Sequence, residues 1–181
     1  MHMQRILPVE LDKVAGKTKE QLEQVAKRFH RVPNIHATMA VAPAVLDAYL
    51  ALNAALAHAS LPAELRERIA ITVASANSCD YCLAAHTAGG KGLKIPDAEL
   101  ALAREGKSAN HKFSVALTFA RAVVEELGQV TDADMAAVKA AGWDDAAVLE
   151  IVATVSANIF SNYFNHAAAT QVDFPAVAAT K

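Results

Sequence analysis

Glu67-Arg68-Ile69-Ala70-Ile71-Thr72-Val73-Ala74-Ser75-Ala76-Asn77-Ser78-Cys79-Asp80-Tyr81-Cys82-Leu83-Ala84-Ala85-His86 is the stretch on which fold and chemistry both turn. Its first half is apolar on most sides (Ile69, Ala70, Ile71, Val73, Ala74), as a central buried helix would be. Asn77-Ser78 reads as a break, with Ser78 placed to cap a second helix from Cys79 to about Ala88. Cys79 then falls in a first helical turn, where free N–H groups and the helix dipole favour an anion. That setting lowers a thiol pKa and populates the thiolate, which is the nucleophile. Cys79 and Cys82 are three residues apart, hence neighbours on one helix face, and can close a disulfide with little backbone movement. His86 lies one turn beyond Cys82 on the same face, where an imidazole can take a proton from a thiol or return one to a leaving group. Glu67 and His86 lie roughly 15 and 12 Å from the Asn77-Ser78 break along their helices. An antiparallel hairpin would bring them to one height, with the carboxylate orienting the imidazole.

Outward from this hairpin the chain reads as helical nearly throughout, which predicts an all-α fold. Only 7 Gly and 6 Pro punctuate 181 residues, and no stretch alternates apolar and polar residues long enough for a half-buried strand. An amphipathic helix is expected from Thr18 to His30, ended by Val32-Pro33, and another after Pro43. The Ser60-Leu61-Pro62 start opens the helix that carries Glu67, with Ser60 as a candidate cap. Gly89-Gly90-Lys91-Gly92 reads as a flexible connection. Helices follow at about Asp97–Arg104, His111–Glu126, Thr131–Ala140 and Asp144–His166, with Gly128 and Gly142 at helix C-termini. Val172-Asp173-Phe174-Pro175 is extended or turn-like. Ser75-Ala76-Asn77 and Ser156-Ala157-Asn158 form a short internal echo that would fit a duplicated helical unit.

Composition narrows the function. With 17 Lys+Arg against 19 Asp+Glu there is no basic excess to neutralise phosphates, so nucleic acid is a poor candidate partner. No polybasic or lipidation signal, no secretory signal and no uninterrupted apolar run of bilayer length is evident, and the expected compartment is the cytoplasm. Two cysteines in a reducing compartment are a poor structural staple. They could be inert core residues, or bind zinc with His86, although a closed zinc site needs a fourth ligand. His2, His30, His36, His58, His111 and His166 have no evident partner in sequence.

The run Glu67…Cys79-Asp80-Tyr81-Cys82-Leu83-Ala84-Ala85-His86 resembles the core motif of the alkylhydroperoxidase D-like (AhpD-like) family, within the carboxymuconolactone decarboxylase superfamily. That motif is a glutamate, eleven residues, Cys-x-x-Cys, three residues and a histidine. Gly16-Lys17-Thr18, Arg31-Val32-Pro33-Asn34, Leu61-Pro62, Asn162-Tyr163-Phe164-Asn165 and Val172-Asp173-Phe174-Pro175 are similar to its peroxidase-related branch. The resemblance implies one AhpD-like helical bundle over residues 1–181, with the core motif within 61–92 and the dithiol at a helix N-terminus. It also implies a homo-oligomer, trimeric or hexameric; no cofactor and no metal are expected. By the same resemblance, Cys82 would be the peroxidatic nucleophile and Cys79 the resolving cysteine. Glu67 and His86 would form the proton relay, and an external dithiol would reset the pair after each hydroperoxide. The family prototype carries a histidine between its cysteines where this chain has Tyr81, an accessory residue at most, because a phenol does not shuttle protons near neutral pH. Two other functions stand beside the peroxidase: a lactone decarboxylase like the superfamily's namesake, and a redox-sensing or disulfide-exchange protein without turnover.

Overall fold

The structure is a computed structural model that describes residues 3–177. Among these the regular elements are all helical, as the sequence predicts. After a short 3-10 turn at Leu11–Lys13 come α1 (Gly16–Phe29), α2 (Asn34–Met39), α3 (Pro43–Ala57), α4 (Ala63–Ala76) and α5 (Asp80–Gly92). Then follow α6 (Asp97–Arg104), α7 (His111–Glu125), α8 (Asp132–Ala140) and α9 (Asp145–Ala168).

Helix α4 is the hub. Every residue from Arg68 to Ala74 is buried, and α5, α6, α7 and α9 all pack around it. One apolar cluster joins Leu65, Ile69 and Ile71 of α4 to Leu117, Val138, Ile151 and Val155. The charge on buried Arg68 is met by Glu99 at 3.1 Å, and its guanidinium lies over the Phe113 ring. A second, smaller cluster holds Leu22, Ile35, Met39 and Leu46 of α1–α3 against Cys79, Tyr81 and Cys82. The dithiol therefore sits in the seam between the α4 hub and the N-terminal helices.

Helix ends follow local chemistry. Asn110 accepts from the Phe113 amide, Thr131 and Asp134 form a reciprocal capping box, and Asp144 accepts from the Ala147 amide. Four local expectations change. Ser60 does not cap α4; its amide and hydroxyl both donate to Glu150 of α9. Helix α2 was not foreseen, because Val32-Pro33 reads as a stop. Pro33 instead sits at the N-cap with extended backbone and starts a second helix.

Gly89-Gly90-Lys91-Gly92 is the last turn of α5 rather than a loose connection. The glycines are there for closeness: a Cβ on Gly90 would stand 2.6 Å from Leu100 Cδ2, and one on Gly89 would stand 3.0 Å from Glu67 Oε2. Finally, α9 is, by length and composition, long and apolar enough to cross a bilayer, contrary to the sequence expectation. In the fold one face of it, with Val148, Ile151 and Val155, is buried in the core, while Leu149 and Phe160 stay exposed.

The two copies of the Ser-Ala-Asn echo occupy different places, one closing α4 and the other in the middle of α9. The segment 172–175 is irregular, as expected, and is tied down firmly. Arg31 pairs with the Asp173 carboxylate, the Asn34 amide donates to the same carboxylate at 3.0 Å, and Asn34 Nδ2 reaches the Gln171 carbonyl at 2.9 Å.

Candidate active site

The turn between α4 and α5 decides where each thiol stands. Ser78 adopts left-handed backbone with φ of 54°. Its amide donates to the Ser75 carbonyl, and the Cys79 amide reaches back to the Ala74 carbonyl at 2.8 Å. This is the Schellman closure of α4, so Ser78 ends the first helix instead of capping the second. The N-cap of α5 falls on Cys79, which makes no side-chain cap bond, and Cys82 occupies the third position of the first turn. The helix dipole therefore acts on Cys82 at least as directly as on Cys79.

Both cysteines are free thiols and both are buried. The Cys82 sulfur accepts from Asn165 Nδ2 at 3.2 Å, with the Ser161 hydroxyl 4.0 Å away. A hydrogen bond from Cys79, then the charge of His86 and the donors on Asn165 and Ser161, outweigh burial and lower the Cys82 pKa. Cys79 moves the other way: donating to Cys82, and then burial, raise its pKa. Of the two, Cys82 is therefore the thiol whose anion the site favours.

The hairpin brings Glu67 and His86 together as the sequence predicts, with His86 Nδ1 to Glu67 Oε2 at 2.9 Å. Both side chains are about a quarter exposed, at 28% and 27%. Burial works against the charged imidazole, but the Glu67 charge, their hydrogen bond and the Cys82 thiolate prevail and raise the His86 pKa. Gly89 makes this pairing possible by leaving room for the carboxylate. Gly89→Ala is expected to keep or slightly raise the melting temperature, since alanine gains about 1 kcal/mol of helix propensity. The same change pushes Glu67 off His86 and lowers any activity that uses the pair, a combination read by calorimetry beside a rate assay.

Tyr81 is buried and structural. Its hydroxyl accepts from the Ile35 amide at 3.1 Å, its ring meets Phe174 edge-on at 5.7 Å, and burial raises its pKa further.

A cavity of about 510 Å3 opens onto Cys82, Glu67 and His86, walled by Val25, Phe29, Tyr49, Ala57 and Phe174. His36 also lines it, between Phe29, whose ring is tilted to it, and Tyr49, which it meets edge-on. Burial and the Arg28 guanidinium, against Asp173, push the His36 pKa down to about 4, so the ring is neutral near pH 7. Of the other histidines, His166 meets the Asn77 carbonyl at 3.0 Å, His30, His58 and His111 are exposed, and His2 lies outside the described residues. Among the described residues no three His, Cys, Asp or Glu side chains are gathered as metal ligands would be.

Asn165 and Ser161 are the contacts to Cys82 that sequence reasoning did not single out as site residues. They come from α9, about 80 residues away; Asn165 falls in the Asn162–Asn165 flank, and Ser161 lies just outside it. Asn165→Leu is expected to cost the thiolate a charge-assisted hydrogen bond of about 1.5 kcal/mol, which is roughly ten-fold in thiolate population. Iodoacetamide alkylation of Cys82 followed against pH is expected to move its midpoint upward.

Residues 43–126 match the carboxymuconolactone decarboxylase family. That segment carries Glu67, Cys79, Cys82 and His86, and the fold is AhpD-like. The peroxidase-related protein of the alkylhydroperoxidase AhpD core from Ralstonia eutropha JMP134 is 23% identical and covers 96% of this chain and 94% of its own, with a TM-score of 0.87. A peroxidase-related protein from Silicibacter sp. TM1040 is also 23% identical over 93% and 92%, with a TM-score of 0.82. The debrominase Bmp8, solved as a cysteine-to-alanine variant with 2,3,4-tribromopyrrole, is 21% identical over 93% and 91%, with a TM-score of 0.80. No curated relative matches the sequence. At these identities the likeness fixes the AhpD-like fold, and the chemistry has to be argued from the site.

Proposed function

We propose that this chain is a member of the carboxymuconolactone decarboxylase superfamily and acts as a thiol-dependent hydroperoxide reductase. The observation that carries the reading is the setting of Cys82: its sulfur accepts from Asn165 and lines an apolar cavity together with the Glu67–His86 pair, neighbours that favour its thiolate. The Cys82 thiolate attacks the terminal oxygen of ROOH and the O–O bond breaks. Cys82 becomes a sulfenic acid, and the departing alkoxide takes a proton from the His86 imidazolium to leave as ROH. Cys79 then attacks the Cys82 sulfur, water leaves with the Cys79 proton, and a disulfide forms. An external dithiol returns the pair to its starting state.

Multiple-turnover consumption of cumene hydroperoxide under dithiothreitol, compared with the Cys79→Ser, Cys82→Ser double variant, tests this. Turnover in the native protein alone supports the reading; equal consumption by both proteins sinks it. Activity on a lactone substrate that survives in the double variant would instead indicate the decarboxylase chemistry of the superfamily's namesake, which needs no thiol pair.

A second reading rests on the aromatic wall of the cavity, where Phe29, Tyr49 and Phe174 stand near Cys82, and on the debrominase neighbour. Here the thiolate takes bromine from a bromoarene as a sulfenyl bromide and the ring carbon gains a proton. Cys79 then displaces bromide to give the same disulfide. Bromide release from a brominated pyrrole without hydroperoxide turnover would favour it.

Homo-oligomer assembly, as a trimer or hexamer, is part of the proposal. It is supported by the exposed Leu149, Phe160 and Tyr163 side chains on α9 and is read by light scattering.

A further inference from the structure

The two sulfurs face different cavities. Cys82 lines the cavity walled by α1 and α3, and Cys79 does not. A second cavity, of about 400 Å3, opens where the first turn of α5 meets the C-terminal end of α9, and it is lined by Ser78, Cys79, Asn165, Thr170 and Val172 but not by Cys82. Tyr81 borders both and forms the wall between them. At this second cavity Asn165 and Thr170 are more than nine-tenths buried, at 4% and 8% exposure. Asn165 Oδ1 and Thr170 Oγ1 have no hydrogen-bond partner among the described residues, although Asn165 Nδ2 is committed to Cys82. Buried polar atoms left without partners are costly, and a polar visitor to this cavity would satisfy them.

We propose that oxidant and reductant reach the dithiol by separate entrances: the hydroperoxide at Cys82 through the α1–α3 cavity, and a small thiol or dithiol at Cys79 through the α5–α9 cavity. This rests on the dithiol cycle proposed above. A reductant thiolate attacks the Cys79 sulfur, forming a reductant–Cys79 disulfide and breaking the Cys79–Cys82 bond. Cys82 leaves as the thiolate that Asn165 already stabilises, which makes it the better leaving group of the two. The reductant's second thiol then attacks its own first sulfur, Cys79 departs carrying the proton given up, and the reductant leaves as a disulfide. Attack at Cys82 would instead expel Cys79, the thiol whose anion is the less favoured.

The test separates the half-reactions. Native protein oxidised with diamide is treated with 2-mercaptoethanol, alkylated with N-ethylmaleimide and mapped by mass spectrometry. The expected result is mercaptoethanol on Cys79 and maleimide on Cys82, and the reverse pattern overturns the proposal. Val172, 45% exposed at the mouth of the second cavity, and Ala57, exposed at the first, tolerate added bulk at the surface. Val172→Trp is expected to slow reduction by dithiothreitol about ten-fold more than oxidation by cumene hydroperoxide, and Ala57→Trp to show the opposite bias. Equal slowing of both half-reactions in both variants overturns the separate entrances. Because diamide forms the disulfide without peroxide, a protein inert to hydroperoxides would defeat the peroxidase reading while the mapping still decides which sulfur is attacked.

Discussion

Cys82→Ser is expected to lower hydroperoxide turnover about 10⁴-fold, to the level of free dithiol, because a serine hydroxyl stays protonated where the thiol is an anion. No compensating nucleophile is at hand, since burial still disfavours the Cys79 thiolate and Cys79 does not line the cavity shared by Glu67 and His86. Cys79→Ser is expected to fail differently. It keeps the Cys82 nucleophile, so one equivalent of hydroperoxide is consumed before the reaction stalls, and the protein gains the mass of one oxygen as Cys82 sulfenic acid. Rapid-quench kinetics with intact-mass analysis checks both. A Cys82→Ser protein that still gave a burst would overturn the assignment of nucleophile and resolving cysteine.

Glu67→Gln is expected to cost about 10²-fold and to change the pH profile as well as the rate. A lowered thiol pKa means that the reactive thiolate is fully present above that pKa and is lost as pH falls through it. In the native protein the rate therefore rises with pH to a plateau reached earlier than for an ordinary thiol. The Glu67 charge is what raises the His86 pKa against the cost of burial, so its removal leaves less imidazolium beside Cys82. The thiolate then loses part of its stabilisation and the rising limb moves to higher pH. A profile that falls in height without moving would show that Glu67 acts on packing alone.

The hairpin was readable in advance because its parts are local. Glu67, the Asn77-Ser78 break, the dithiol and His86 all fall within 20 consecutive residues, where helical periodicity fixes which side chains share a face. Even there the helix start was placed one residue early, because serine is a good N-cap by type and the left-handed turn that reassigns it is a property of how α4 ends. Gly89 and Gly90 were read as flexibility, yet they serve approach by Glu67 and Leu100, which lie elsewhere in the chain. Asn165 behind the thiolate and His36 in the cavity wall depend on α9 and α2 docking against α5, and no spacing rule relates positions so far apart. Helix α2 went unseen because a proline that stops one helix can also start the next.

The clasp of Arg31 and Asn34 onto Asp173 joins positions about 140 residues apart and seats Phe174 against Tyr81, in the wall of the Cys82 cavity. During synthesis the α4–α5 hairpin is complete long before residue 174 leaves the ribosome, and domains are made from the N-terminus at about 5–20 residues per second. For that interval of several seconds the thiols exist on a nascent chain that lacks this part of their cover and lacks Asn165. In that interval the hairpin supplies only the Cys79 and His86 contributions to the lowered Cys82 pKa, and the site is completed when α9 and Phe174 arrive.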